Sequence, residues 1–230
     1  MTAKPYQFTM FEAQNMARYV MAWRGQSLLL LGNEGELDGS GISGYYFRGV
    51  RYLSRLEFQI NKHNLKYCSS SRIDFNRLEF FYIYPPVKRG STGGSGSGMI
   101  NKQEGISERG LDIRFEYWVR PSGLDISIKI TNRWDEFVQF EFQTVAKSDF
   151  LSMDEAYRDE KENLPGSELI KTDLGISYIC THPQVSLEMN LSVSEIKSWN
   201  IQNDILTRKI SLHHGEMKEV NLHVRTFDPS

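Results

Sequence analysis

From Asp112 to Thr144 the chain alternates apolar and polar residues almost without a break. Ile113, Phe115, Tyr117 and Val119 alternate with Arg114, Glu116 and Trp118. After the turn Pro121-Ser122-Gly123, Leu124, Ile126, Ile128 and Ile130 alternate with Asp125, Ser127, Lys129 and Thr131. After Asn132 to Glu136, Val138, Phe140, Phe142 and Thr144 alternate with Gln139, Glu141 and Gln143. A period of two puts one side of each segment in a core and the other in water, which is the pattern of antiparallel strands with one wet face. Proline, glycine and asparagine between the segments supply the turns.

The rest of the chain extends this pattern. Ser27 to Gly32 is a short apolar run closed by turn residues and reads as a buried strand. Further strands are expected near Leu65 to Ser69, Phe75 to Tyr84, Glu168 to Thr172, Gly175 to Thr181, Val185 to Leu191, Ile205 to Ser211 and Glu219 to Phe227. His213-His214-Gly215-Glu216 forms the turn before the last of these. Many short strands with little helix predict an all-β antiparallel sandwich or barrel. Phe11, Met16, Tyr19, Val20 and Trp23 recur at helical spacing, so residues 1–24 read as a short amphipathic helix or as an extended arm. Residues 25–230 read as one domain. The tract from Gly90 to Gly98 is almost pure glycine and serine and runs straight into Met99, which has the character of an engineered linker, a flexible coil outside the functional argument.

Composition narrows the function. Twenty-seven basic and 29 acidic residues give a formal net charge of −2, which argues against a nucleic-acid partner. The polar N-terminus lacks the apolar core of a signal peptide, and Leu28 to Leu31 is far too short to cross a bilayer. A cytoplasmic protein with no membrane association is expected. Cys68 and Cys180 read as free thiols of a reducing compartment, although spacing alone leaves a disulfide open. Five histidines lack metal-ligand spacing, so no metal and no cofactor are expected.

The run Gly44-Tyr45-Tyr46-Phe47-Arg48-Gly49-Val50-Arg51-Tyr52-Leu53-Ser54-Arg55-Leu56-Glu57-Phe58 reads as one buried strand with a bulge at Gly49. On that reading Arg51 and Arg55 share a face, Arg48 takes the other, and only one of Tyr45 and Tyr46 turns inward. A buried arginine demands a carboxylate or carbonyl partner; Asp149, Glu57 or a backbone carbonyl can serve.

This run resembles the signature that opens the N-terminal β-sandwich domain of glycogen-debranching-enzyme-like (amylo-α-1,6-glucosidase) proteins. It departs from that signature at Gly49-Val50, where the family carries Asp-Thr. The resemblance continues in Ile128 to Asn132, in Phe140 to Phe150 with its close Ser148-Asp149-Phe150, and in the hairpin from Ile210 to Val224, spanning about Gly25 to Phe227. It implies a super-sandwich that accompanies a catalytic (α/α)6 domain or chain and shapes or orients an α-glucan site there. Because the sequence ends where the sandwich ends, the chain alone is expected to be non-catalytic. Two other classes stand beside this one: a stand-alone enzyme working on a small molecule in a cleft of the sandwich, and an assembly module that self-associates through a sheet face.

Candidate residues follow from the chemistry. Glycoside hydrolysis needs two carboxyl groups about 5–9.5 Å apart, and Asp149, Asp154 and Glu155 are the candidates. Asp149 reads equally as a turn residue binding backbone amides, and Asp154-Glu155 as part of a solvated charged segment. For ligand binding, Arg48, Arg51 and Arg55 offer donors to sugar hydroxyls, and Tyr45, Tyr46 and Trp134 offer rings to stack on pyranose faces. Trp118 and Trp199 are further aromatic candidates.

Overall fold

The computed structural model describes residues 18–86, 102–103, 105–158, 167–180 and 186–228. Its strands form an antiparallel sandwich. One layer is an eight-stranded sheet in the order Ser167–Lys171, Gly175–Cys180, Glu188–Val193, Met217–Phe227, Gly123–Asn132, Leu111–Arg120, Arg77–Tyr84 and Lys66–Asp74. Facing it is a six-stranded sheet that includes Asn200–Gln202, Ile205–Leu212, Val138–Lys147, Arg55–Ile60 and Leu37–Asp38, with His63–Asn64 also paired to Arg55–Ile60. A four-stranded sheet of Tyr19–Arg24, Ser27–Gly32, Gly44–Phe47 and Val50–Leu53 packs against Leu111–Arg120. The one described α-helix, α1, spans Met153–Arg158.

The alternation from 112 to 144 becomes three ten-residue strands. The apolar parity of each, such as Ile113, Phe115 and Tyr117 or Ile126, Ile128 and Ile130, lies in one core with Phe140, Phe142 and Leu206 from the opposite sheet. Burying whole rows of such side chains is the main stabilising term of a sandwich, about 1.5–3 kcal/mol for each fully buried Leu, Ile or Phe. Asn132 is fully buried at the end of its strand and pins the next turn. Its side-chain amide donates to the carbonyls of Glu136 and Leu212, and its oxygen accepts the Trp134 amide.

Three expectations are corrected. The signature run is not one strand. It turns back at Arg48-Gly49, pairing Phe47 with Val50, and changes sheets at Ser54 before Arg55–Ile60. Arg48 (φ 51°) and Gly49 (φ 80°) both occupy the left-handed region, as the tight type I′ hairpin requires. Parity counted along a single strand therefore fails, and Arg51 and Arg55 belong to different sheets. Tyr45 and Tyr46 are both buried, because the four-stranded sheet is covered on both faces: Tyr45 enters the main core, while Tyr46 joins Leu30 and Ile42 in a second cluster. Tyr19, Val20 and Trp23 lie in a strand rather than a helix; Phe11 and Met16 fall outside the described residues. So does the tract from Gly90 to Gly98. Tyr84, before the tract, lies opposite Leu111, after it, on neighbouring strands. Cys68 is exposed and Cys180 buried, both free. No helix among the described residues is long and apolar enough to cross a membrane.

Candidate functional site

The sequence candidates separate into two places, a corner around Arg51 and an open rim around Arg55. At the corner the Arg51 side chain is 3% exposed. Its Nε donates to Asp149 Oδ1 at 3.1 Å and its Nη2 to Asp149 Oδ2 at 2.5 Å. Its Nη1 donates to the carbonyls of Gly41 and Ser43 at 2.7 and 3.1 Å. Burial works against this charge, but the Asp149 carboxylate outweighs it and holds the guanidinium above its ordinary range. The Arg51 amide also donates to the Leu151 carbonyl. One residue thus ties the glycine-rich loop, the hairpin and the segment entering α1. Asp149 supplies the carboxylate from a distant strand end.

The remaining acids of this corner are structural in their contacts. Ser152-Met153-Asp154-Glu155 forms a capping box at the start of α1: Ser152 Oγ accepts the Glu155 amide, and Glu155 Oε2 accepts the Ser152 amide. Hydrogen bonding of the Ser152 hydroxyl and of its backbone amide to the carboxylate lowers the Glu155 pKa below the usual carboxylate value. Asp154 is exposed in the first turn of the helix, where a negative charge suits the helix dipole.

The other predicted ligand groups are spread out. Tyr45 shares a hydrogen bond with Ser27 Oγ, and the Tyr46 hydroxyl donates to the Ile42 carbonyl. Burial pushes both phenols up to about 12. Neither ring offers a free face. Arg48 is exposed at its turn and donates to Gln26 and Asp228. Trp134 and Trp199 are buried in the core. Trp118 sits under two guanidinium groups, Arg120 at 3.4 Å and Arg77 at 5.5 Å from its ring centre. Trp23 and Phe75 form an exposed aromatic pair, rings 6.3 Å apart.

Arg55 stands at the rim of a pocket of about 650 Å³ between the two large sheets. Arg55 donates to both oxygens of Glu57, at 2.7 and 2.9 Å. Glu34, Glu36 and Asp38 approach from the loop, and Gln59 and Asn64 from the adjoining strands. The wall is aromatic. Phe58 and Phe115 have ring centres 4.7 Å apart, Tyr82 and Phe115 5.1 Å, and Tyr67 and Tyr82 6.0 Å. Phe115 and Tyr117 lie nearly parallel. The Tyr82 hydroxyl donates to the Glu34 carbonyl at 2.5 Å, fixing the loop over the rings. Gly35 makes this approach possible: a Cβ there would lie 2.3 Å from the Tyr82 oxygen, and its φ is +82°.

The sequence matches the family model for the N-terminal domain of some glycogen debranching enzymes over residues 23–223. The chain belongs to that family. No curated protein matches it at a significant level. As a debranching-enzyme N-terminal domain, it shares its fold with solved structures of very distant sequence. A protein assigned as a kojibiose phosphorylase from the human microbiome superposes with a TM-score of 0.60 at 8% identity, over 92% of this chain and 30% of that one. A galactose mutarotase-like protein from Lactobacillus casei gives 0.57 at 8% identity, over 91% and 100%. The Slr1438 protein of Synechocystis sp. gives 0.52 at 9% identity, over 91% and 96%. In this family domain the signature run serves the corner, through Arg51, and the pocket rim, through Arg55 and Glu57. The pocket wall was not anticipated from sequence. Its signal was the repeated aromatic on one parity, at Phe80 and Tyr82 and at Phe115 and Tyr117.

Proposed function

We propose that this debranching-enzyme N-terminal domain is a non-catalytic accessory module that orients an α-glucan for a catalytic (α/α)6 domain or chain. One observation carries the reading: within a domain of this family, the three acids considered for catalysis are committed elsewhere or left alone. Asp149 is bound bidentate by Arg51, Glu155 caps a helix, and Asp154 projects from the surface of the same helix. A glycosidase needs one carboxyl group kept protonated and a second poised across the bond. Glu155 is shifted the opposite way, toward the ionised form. A carboxylate neutralised by arginine is a poor general base and a poor acid.

The direct test is an assay of glucose release from maltooligosaccharides and branched glucan. The chain alone should release nothing. Added to an (α/α)6 debranching domain that lacks its own sandwich, it should raise the rate on branched glucan. Release by the chain alone overturns the reading, and loss of that release in Asp149→Asn would place the activity at the Arg51 corner.

A further inference from the structure

We propose that the pocket between the sheets is itself a binding site for a neutral oligosaccharide, separate from any site on a catalytic partner. The argument begins with what a dry core would contain. The eight-stranded sheet places Tyr67, Tyr82, Phe115 and Tyr117 on this wall, and the opposite sheet places Phe58 there. Three of these five rings carry hydroxyl groups, which a sealed apolar core disfavours unless each finds a partner. Tyr67 pairs with Ser70 and Tyr82 with the Glu34 carbonyl. Tyr117 does not pair. It is 2% exposed, it lines the pocket, and its hydroxyl has no hydrogen-bond partner among the described residues. An unpaired hydroxyl that opens onto a cavity offers both a donor and an acceptor to a polar ligand.

The rim supplies the complementary groups. Glu57 uses its oxygens only on Arg55, and Glu36 accepts only the Glu34 amide through Oε2. Asp38 accepts from Ser40, and Gln59 donates to Asn64. The oxygens of Glu36 and Glu57 keep free acceptor capacity, and Arg55 is only half-buried with N–H groups to spare. Acceptors, donors and ring faces together match a molecule that has many hydroxyls and an apolar ring face, which is the chemistry of a pyranose. The volume lies within the roughly 300–1,000 Å³ typical of small-molecule sites. Charge selects further. Four carboxylates, from Glu34, Glu36, Asp38 and Glu57, surround the single guanidinium of Arg55. A phosphorylated, sulfated or uronic sugar would be repelled, so anionic sugars are disfavoured.

Calorimetric titration of the intact chain tests this, with maltotriose and cellotriose as probes and glucose 6-phosphate as the anionic control. Choosing an α-linked probe rests on the function proposed above; the pocket chemistry does not. Saturable binding of either neutral trisaccharide, with weaker or no binding of glucose 6-phosphate, is expected. Tyr117→Phe keeps the ring and should weaken binding roughly three- to tenfold, the effect of one lost hydrogen bond. Glu57→Gln should weaken it as well, whereas Glu219→Gln, on the outer face of the eight-stranded sheet, should leave it unchanged. Unaltered thermal midpoints would show that the variants are folded. Binding of cellotriose but not maltotriose supports the pocket and counts against the α-glucan role. Absence of saturation by both neutral sugars at millimolar concentration overturns the proposal, as does equal affinity in the native chain, Tyr117→Phe and Glu57→Gln.

Discussion

Arg51 and Asp149 stand 98 positions apart in sequence and meet in a bidentate ion pair at the corner where the hairpin, the glycine-rich loop and the entrance to α1 converge. Two parallel charge-assisted bonds fix orientation as well as distance. The two backbone carbonyls on Nη1 complete the shell, so the guanidinium is compensated on every side that the core closes. Such a pair adds little against a well-packed apolar replacement, yet breaking it from one side is costly.

Asp149→Asn should therefore cost about 3 kcal/mol, because it strands a buried arginine. Removing both charges, in Arg51→Met with Asp149→Asn, should cost less than the sum of the single changes. Urea denaturation of the four proteins measures this coupling; strictly additive losses would mean that the pair contributes nothing as a unit.

Gly35→Ala should lower stability by about 1–3 kcal/mol through a strained left-handed backbone, with a methyl group placed against the Tyr82 hydroxyl and the Phe80 ring. The same change should loosen the loop carrying Glu34 and Glu36 over the pocket. Hydrogen exchange at the amides of residues 33–38 is the measurement; protection equal to the native chain would show that the loop is held by something other than Tyr82.

The fold was most legible where each strand has one wet face. Strands 111–147 could be read from parity alone, because every second residue there is in water or in the core. The run from Gly44 to Phe58 could not be read that way. Its turn uses a left-handed arginine at position 48, where a glycine or asparagine would have announced it, and its first two strands are covered on both faces, which erases the alternation there. The carboxylate partners of Arg51 and Arg55 were within reach of chemical reasoning, since buried arginine requires one. The pocket was not, because it depends on which strands are neighbours and on where the sheets part. Trp134 looked like a surface ring because it lies in a turn. Asn132 holds that turn down against the core instead.

Acid should remove stability through Asp125. Burial alone would raise its pKa, but hydrogen bonds from His223, Arg225 and Arg120 more than offset this, and the net shift is downward. A depressed carboxylate stabilises the fold above its unfolded pKa, and that contribution is lost as pH falls through the lower folded value. The gap in thermal midpoint between the native chain and Asp125→Asn should therefore be full at neutral pH. It should shrink as pH drops below the ordinary aspartate value of 3.8. A gap that stayed constant into strong acid would show that the charge of Asp125 is not what matters.

Native-state thiol labelling should distinguish the two cysteines. Cys68 is exposed on the strand Lys66–Asp74, whereas Cys180 is buried in the core. A thiol reagent reacts with accessible thiolate. One equivalent should react in the folded chain and a second only after denaturation, with Cys68→Ser abolishing the first. Two fast equivalents would mean that the strand Gly175–Cys180 opens readily.

Arg208 presents the reverse case to Arg51. Its strand points it inward between Leu206 and Ile210, its side chain is 6% exposed, and its one carboxylate partner, Glu195, lies at the solvent edge. Nε and Nη1 are buried without a partner among the described residues. A guanidinium satisfied on one side only still carries its desolvation cost. Arg208→Met keeps the length of the side chain and removes that cost, so it should leave the domain unchanged or stabilise it by up to about 2 kcal/mol. Arg51→Met, from a fully compensated shell, should destabilise. The two changes have the same chemistry and opposite expected signs, so paired urea melts decide whether satisfaction of the guanidinium, rather than burial alone, sets the worth of a core arginine here. A loss in Arg208→Met as large as in Arg51→Met would refute that distinction.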